Sequence, residues 1–188
     1  MPKLIYSMGV SLDGYIAAPD GSIDWSAPDE ELHQFHNQQA RETGVHLYGR
    51  RLYEEMQLWE TVDRDPSAPK HMVEFSKIWK GTPKLVFSTT LERVQGNARL
   101  LRHVDGEDVA RLKEGPGKQL AVGGAGLAAT FIRLGLVDEY HLFISPVVLG
   151  GGTPYWPDLD ERIKLELVES RTFASRVVYV RYRRLRDA

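Results

Sequence analysis

The chain has 188 residues, of which 42% are hydrophobic and 27% are charged, and this size predicts a single folded domain over residues 1–188. Its 24 lysines and arginines against 26 acids give a net charge of −2, which excludes the broad basic surface of a general nucleic-acid binder. The absence of cysteine excludes disulfides, thiolate catalysis and cysteine metal clusters.

The opening segment, MPKLIYSMGVSLDGYIA, is apolar only briefly before Asp13, which is too short a run for a signal core. No later apolar run reaches the length of a membrane span. We therefore expect a cytoplasmic protein whose partner is a small molecule rather than a nucleic acid or a membrane.

Strand-like and helix-like segments alternate through the first half of the chain. The apolar run at 3–10 predicts a strand that ends near Ser11. Residues 28–44 begin with a proline and acids and end at a glycine, which predicts a helix. Residues 45–49 predict a buried strand that leads directly into an amphipathic helix beginning near Arg50.

The middle of the chain repeats this alternation. A polar loop at 63–70 precedes a predicted helix at 71–81 and a strand at 83–91, which ends in hydroxyl residues. A weak strand at 98–101 precedes a short helix that is predicted to stop at Gly-Pro-Gly, residues 115–117.

The last third contains another strand-to-glycine junction at 118–126 and a long apolar strand at 138–149, interrupted by Pro146. Residues 164–185 alternate over two runs, which predicts a β-hairpin. Helices that alternate with strands early, followed by a late hairpin, predict an α/β fold with a mostly parallel central sheet and an antiparallel edge.

A glycine motif follows the strand at 118. Residues 124–129 fit the dinucleotide fingerprint G-x-G-x-x-(G/A) at a predicted helix start. Glycine lets the backbone approach a pyrophosphate, and the positive end of a helix favours the anion. A tight turn without a ligand explains the same residues. Common dinucleotide folds carry an acid about 20 residues later, and none stands at 143–145, so a dinucleotide would be held differently here.

Two further junctions offer contacts for a polyphosphate. Arg50 and Arg51 follow Gly49 at another predicted helix start, and residues 88–90 place three hydroxyl groups at a strand end. Ligands of open α/β sheets collect at the carboxyl ends of strands, so the three junctions could converge. Guanidinium and hydroxyl groups suit the additional phosphate of NADP, although each arginine singly also fits a solvated first turn.

Four segments, in their order, resemble the dihydrofolate-reductase-like fold: SLDGYIA (11–17), GRRLYEEM (49–56), LVFSTTL (85–91) and VGGAG (122–126). Within that fold, almost the whole chain resembles the C-terminal reductase domain of bifunctional riboflavin-biosynthesis deaminase-reductases. The resemblance implies a three-layer α/β fold and an NADPH-dependent reductase with the nicotinamide near the first strand. It implies that NADPH is held by Gly49, Arg50, Arg51, Ser88, Thr89, Gly123, Gly124, Ala125, Gly126 and Leu127.

The resemblance also implies a substrate class, a small heterocycle or ribosylamino-pyrimidine such as 5-amino-6-(5-phosphoribosylamino)uracil. A dihydrofolate- or pteridine-type substrate and a non-catalytic cofactor-binding relative are the alternatives. One departure weakens the phosphoribosylaminouracil assignment and motivates the non-catalytic alternative, because Val122 stands where riboflavin-pathway reductases usually carry a substrate-site acid. The chain also lacks the motif of a zinc deaminase, so it would carry out only the reduction.

Hydride transfer also needs a proton, so an acid or an ordered water should lie near the acceptor. Asp13 lies in the segment that looks like the SLDG of riboflavin-pathway reductases, where the aspartate lies in the substrate pocket; ordinary Asp-Gly turn chemistry is the alternative. Glu31 looks like the acid of the pteridine pocket in dihydrofolate reductases, although a first-turn acid favoured by the helix dipole is the more common explanation of such a residue. Asp13 and Glu31 are therefore the predicted catalytic residues.

Asp24, Trp25 and Thr153 are the predicted substrate-binding residues. Trp25 could stack on a heterocycle, although loop tryptophans more often cover the core. Thr153 lies in a glycine-rich loop similar to the one in dihydrofolate reductases that carries a threonine ahead of an aromatic residue and a proline.

His33 and His36 lie three residues apart on a predicted helix, where we expect an exposed face and no metal site. The family that the chain resembles tends to form dimers. We expect a possible homodimer through the strand at 138–149, provided that this strand lies at a sheet edge.

Overall fold

The computed structural model describes residues 1–114 and 116–186. The strands in this part of the chain are β1 (Leu4–Ser11), β2 (Tyr15–Ala17), β3 (Thr43–Gly49), β4 (Lys84–Phe87), β5 (Ala98–Leu101), β6 (Gln119–Gly123), β7 (Glu139–Ser145), β8 (Thr153–Pro154), β9 (Leu165–Thr172) and β10 (Val178–Arg184). The α-helices are α1 (Glu30–Arg41), α2 (Arg50–Met56), α3 (Lys70–Gly81), α4 (Gly106–Glu114) and α5 (Ala125–Arg133).

Eight of these strands form one sheet in the order β5-β4-β3-β6-β1-β7-β10-β9. All neighbours from β5 to β7 are parallel, and β10 pairs antiparallel with both β7 and β9. The short strands β2 and β8 pair separately. The predicted α/β class, with its mostly parallel sheet and C-terminal antiparallel hairpin, is confirmed.

Helices cover both faces of the sheet. On one face, Val109 of α4 and Phe131 of α5 are buried in the main hydrophobic core. On the other face, Leu32 of α1 packs with residues of β7 and β10, and Trp79 of α3 packs with β3 and β4. This arrangement confirms the three layers. None of the helices in the described residues has the length and apolar character that crossing a membrane requires.

The predicted bounds of the first helix are wrong. Asp29 caps α1 by accepting a hydrogen bond from the backbone N–H of Leu32, so the helix begins after Pro28 and Asp29. Gly44 does not end the helix, because it lies inside β3, whose pairing with β6 already starts one residue earlier. The stop predicted for α4 includes Gly115, which lies outside the described residues.

The strand predicted at 138–149 is shorter and lies inside the sheet. β7 ends at Ser145, so Pro146 terminates the strand instead of bending it. β7 is flanked by β1 and β10, and the described edges of the sheet are β5 and β9. The condition for a dimer interface at β7 is therefore not met, and the homodimer itself stays a prediction.

A buried carboxylate joins β7 to its neighbours. Glu139 is fully buried, and it lies 2.5 Å from Lys3 Nζ, 2.7 Å from Arg181 Nε and 3.3 Å from His141 Nε2. Burial by itself would raise the pKa of Glu139, but the hydrogen bonds with His141, Arg181 and Lys3 outweigh it and hold this pKa well below its ordinary value. Glu139 is therefore ionised at neutral pH and stabilises the fold as a charged group.

We expect Glu139→Gln to lower the free energy of unfolding by about 3 kcal/mol at pH 7, because it leaves Lys3 and Arg181 without their buried counter-charge. Since the folded-state pKa lies below the ordinary value of 4.5, this stabilisation is present above that pH and is lost as the pH falls below it. Urea unfolding at pH 7 and pH 3 measures the effect. Glu166→Gln, at a half-exposed acid of β9, is the control and should change the free energy by less than about 1 kcal/mol. A difference between Glu139→Gln and wild type that is as large at pH 3 as at pH 7 contradicts this assignment.

Candidate functional site

The parallel strands β1, β3 and β6 end at the same edge of the sheet, where a cleft of about 1470 Å³ opens. We call it the glycine cleft. Its walls come from β1, β2, the end of β3, the two helix starts and the loops before α1 and β8: Met8, Gly9, residues 16–21, Ile23, Ser26, residues 49–52, Glu54, Glu55, residues 124–127, Gly152 and Thr153. The sheet therefore brings two of the three predicted junctions together.

The start of α5 presents free backbone donors to the glycine cleft. Gly124 is the N-cap residue, and no side chain accepts a hydrogen bond from this first turn. Gly124 has a φ of 90°, which favours glycine, and a side chain at Gly126 would meet nothing within 4 Å. Uncapped N–H groups at the positive end of a helix attract an anion. The start of α5 thus has the chemistry of a phosphate cradle.

The two arginines after β3 differ in their contacts. Arg50 forms an ion pair with Glu54 at 2.9 Å, and its Nη1 donates a hydrogen bond to Thr90 Oγ1 at 2.9 Å. Arg51 lines the cleft and makes no ion pair or hydrogen bond with any residue in the described ranges. Arg50 therefore links the cleft to the third junction, while the guanidinium of Arg51 stays available for an anionic ligand.

In the third junction, residues 88–90, the hydroxyl group of Ser88 stabilises the turn that follows β4. β4 ends at Phe87, earlier than predicted, because Ser88 Oγ accepts hydrogen bonds from the backbone N–H groups of Thr90 and Leu91. Ser88 is buried, and neither Ser88 nor Thr89 is among the residues that line the glycine cleft. Their predicted contact with a cofactor stays a prediction, and Thr90 is the residue whose side chain contacts a lining residue.

Asp13 holds the loop before β8. Its carboxylate accepts hydrogen bonds from the backbone N–H groups of Leu149 at 3.0 Å and Gly150 at 2.7 Å, and from Ser11 Oγ at 2.7 Å. These bonds, that of Leu149 first, lower the pKa of Asp13. Asp13 is exposed and lines neither the glycine cleft nor the second cavity described below.

Glu31 contacts the C-terminal hairpin. Its carboxylate accepts a hydrogen bond from the backbone N–H of Ala174 at 3.0 Å and one from Arg171 Nη2 at 2.9 Å. The bond from Ala174 and then that from Arg171 lower the pKa of Glu31. Like Asp13, Glu31 lies outside both cavities, so the structure does not bring the two predicted catalytic acids together.

The predicted substrate-binding residues lie at or near the rim of the glycine cleft. Thr153 lines the cleft. Asp24 and Trp25 belong to a short 3-10 turn, in which Trp25 Nε1 donates to the carbonyl of Ser22 at 3.2 Å. Neither of these two residues lines the cleft, although the adjacent Ile23 does.

A second cavity, of about 600 Å³, lies between α1 and the sheet and shares Met8, Gly9 and Leu52 with the glycine cleft. We call it the imidazole cavity because four histidines line it: His33, His36, His46 and His141. The two spaces meet at the residues they share, so a ligand in one can lie against a ligand in the other.

The exposed helix face predicted for His33 and His36 is wrong. His33 is only 7% exposed and packs against His71 and Phe75 of α3, while the ring of His36 lies 4.4 Å from that of Phe143. The reason is that α1 is packed between the sheet and α3, so it buries more than one stripe of side chains. Among the described residues, no group of three or more side chains is arranged to hold a metal ion.

The sequence profile of the RibD C-terminal domain matches residues 2–179. The uncharacterized protein YyaP from Bacillus subtilis (strain 168) is 38% identical over 183 residues, which cover 96% of this chain and 94% of YyaP.

Solved structures show the same fold at lower identity. The putative riboflavin biosynthesis protein from Shewanella sp. PV-4 superposes with a TM-score of 0.75 at 23% identity and covers 99% of this chain and 100% of its own. The diaminohydroxyphosphoribosylaminopyrimidine deaminase/5-amino-6-(5-phosphoribosylamino)uracil reductase from Thermotoga maritima gives 0.66 at 18% identity, covering 98% of this chain and 57% of its own. Dihydrofolate reductase from Enterococcus faecalis, complexed with NADP(H), gives 0.64 at 14% identity, covering 97% and 96%. The fold is therefore dihydrofolate-reductase-like, and the match over residues 2–179 shows that the chain belongs to the RibD C-terminal domain family.

Proposed function

We propose that this protein is an NADPH-dependent reductase that transfers a hydride to a small heterocyclic substrate of the kind reduced in riboflavin biosynthesis. The observation that carries the proposal is the adjacency of the two spaces: the glycine cleft has the chemistry of a dinucleotide site, and it shares Met8, Gly9 and Leu52 with the imidazole cavity. Membership of the RibD C-terminal domain family supports a reductase of this type.

The residues of the glycine cleft fit a dinucleotide phosphate. The uncapped start of α5 suits the pyrophosphate, because Gly124 and Gly126 let the backbone approach closely. Arg51, which forms no ion pair with a described residue, suits the additional phosphate of NADPH, and Arg50 precedes it in the same cleft. NADPH, when bound, supplies the hydride.

The substrate half of the proposal rests on the imidazole cavity. A space of about 600 Å³ is within the usual range of small-molecule sites, and aromatic side chains make up much of its wall. A heterocycle held there reaches Met8 and Gly9, the residues common to both spaces. These residues would therefore flank the hydride donor and its acceptor.

A proton must accompany the hydride. Asp13 and Glu31 remain the proposed acids, but both have lowered pKa values and are held by backbone N–H groups. A carboxyl group that is ionised at neutral pH orients its neighbours more readily than it donates a proton. The contacts therefore support a positioning role, in which Asp13 fixes the loop before β8 and water in the cleft delivers the proton.

The double substitution Arg50→Ala and Arg51→Ala should weaken NADPH binding by about 100-fold and NADH binding by less than about threefold, since only NADPH carries the additional phosphate. Isothermal titration calorimetry with both nucleotides measures this difference. Arg99→Ala, at an exposed arginine of β5, is the matched control and should leave both affinities unchanged. Equal losses for the two nucleotides would show that the arginines are not the phosphate contacts, and no NADPH binding by the wild type below 1 mM would overturn the reductase proposal.

Asp13→Asn and Glu31→Gln separate a proton donor from a positioning residue. A general acid contributes about 10²–10⁴-fold to the rate, so removing it lowers kcat by a similar factor. We expect kcat to fall by less than about tenfold in each variant, because both carboxylates are held in structural contacts. The assay follows NADPH oxidation with 5-amino-6-(ribosylamino)uracil, with and without its 5′-phosphate. A fall of 100-fold or more, about the lower bound for a general acid, without a change in thermal stability would instead make that residue the donor.

A further inference from the structure

The imidazole cavity contains polar groups that the protein leaves without partners. The side chains of His36 and His46 make no hydrogen bond with any residue in the described ranges, and His33 Nδ1 is buried without a partner. His46 is only 8% exposed and His33 only 7%. A buried polar group without a hydrogen bond destabilises the fold, because it has lost its hydrogen bonds to water. Two such buried nitrogens, His33 Nδ1 and His46 Nε2, beside the unpaired ring of His36, therefore point to a ligand that supplies the missing hydrogen bonds.

The walls of the cavity suit a flat ring. His46 stacks on Tyr48, with ring centroids 5.2 Å apart and planes inclined by 15°. On the side of α1, His33 lies against the edge of Trp59, with centroids 5.7 Å apart. Tyr179 closes the side formed by β10. Flat aromatic surfaces on several sides of a cavity of about 600 Å³ favour a planar heterocycle over a flexible chain.

The cavity offers no free positive charge. Arg181 is the one lysine or arginine among its described lining residues, and it is bound to Glu139 through Nε at 2.7 Å and Nη2 at 3.2 Å. Glu42 and Glu169 also line the cavity and add negative charge. A phosphate group needs cationic partners when it leaves water, and the glycine cleft, not this cavity, holds the unpaired arginine.

The histidines do not supply the missing charge at neutral pH. Burial, and then the neighbouring His33, lower the pKa of His36 to about 4. Burial, and then the ammonium of Lys84, lower the pKa of His46 to about 3. A neutral imidazole has one donor and one acceptor nitrogen, so these side chains can pair with the N–H and C=O groups of a heterocycle but cannot neutralise a phosphate.

We propose that the imidazole cavity selects a flat, uncharged heterocycle without a phosphate group, and that His33, His36 and His46 recognise it through hydrogen bonds to its ring N–H and C=O groups. This inference rests on the proposed function in taking the cavity as the substrate half of a reductase. It specifies the substrate further, as the unphosphorylated form of an aminopyrimidine or a related ring.

A matched pair of ligands tests the inference. 5-Amino-6-(ribosylamino)uracil and its 5′-phosphate differ only in the phosphate. Calorimetric titration with each, without nucleotide, is carried out on the wild type and on the Arg50→Ala, Arg51→Ala variant, which removes the cations of the adjacent glycine cleft, so that the variant reports on the cavity. We expect the unphosphorylated compound to bind at least about tenfold more tightly, since a phosphate would lose water without gaining a cation. Equal or tighter binding of the phosphate overturns the inference.

Substitution of the histidines provides the second arm. His46→Phe keeps a flat ring and removes both nitrogens. It should weaken the binding of the unphosphorylated compound by about tenfold or more. His46→Gln, which retains a donor and an acceptor, should recover part of this loss. His103→Phe, at an exposed histidine outside the cavity, is the control and should bind as the wild type does. Unchanged binding in His46→Phe contradicts the inference.

The same protein preparations separate this inference from the proposed function. Titration with NADPH reports on the glycine cleft, and thermal unfolding shows whether each variant is folded. Binding of the unphosphorylated ring without any NADPH binding would overturn the reductase proposal and leave the ring selectivity standing. NADPH binding together with preference for the phosphorylated ring would overturn the ring selectivity and leave the reductase proposal standing.

Discussion

Strand β6 pairs in parallel with β1 on one side and β3 on the other, and this pairing places the two glycine turns of the proposed cofactor site side by side. Tyr48 of β3 is in register with Gly123 of β6. Each of these residues is followed by one glycine and then a helix, so α2 and α5 begin side by side. A Cβ atom at Gly123 would lie 2.3 Å from Leu52 Cδ2, which shows how closely the two junctions pack. Parallel pairing therefore converts two distant glycine turns into one cleft.

The alternation of side chains along the same strands builds the second space. Leu47 and Leu120 lie in the core with α5, whereas their neighbours on the opposite face, among them His46, Tyr48 and Ala121, line the imidazole cavity. One sheet thus carries an edge with an unpaired arginine and an uncapped helix start, and a pocket lined by aromatic rings, and the two share residues of β1. The separation of charge follows from this geometry, because the unpaired arginine follows β3 at the edge while the arginine of the pocket is bound to a buried glutamate.

Local signals in the sequence were sufficient to predict the two strand-to-helix junctions of the cleft and the C-terminal hairpin. Glycine followed by a helix after an apolar run predicted the strand-to-helix turns at Gly49 and Gly124, and strict alternation predicted β9 and β10. The features that the sequence did not predict depend on partners far along the chain. The burial of His33 and His36 requires α3, and the strand order that places β7 in the interior cannot be read from its own residues. The contacts of Asp13 lie 136 and 137 positions away, at Leu149 and Gly150.

A crystal structure of the protein with NADP⁺ bound tests the central claim most directly. The account predicts pyrophosphate oxygens about 3 Å from the backbone N–H groups at the start of α5, the additional phosphate at Arg51, and the nicotinamide beside Met8 and Gly9 with one face open to the imidazole cavity. A nucleotide bound on another surface, or with its nicotinamide turned away from β1, would contradict it.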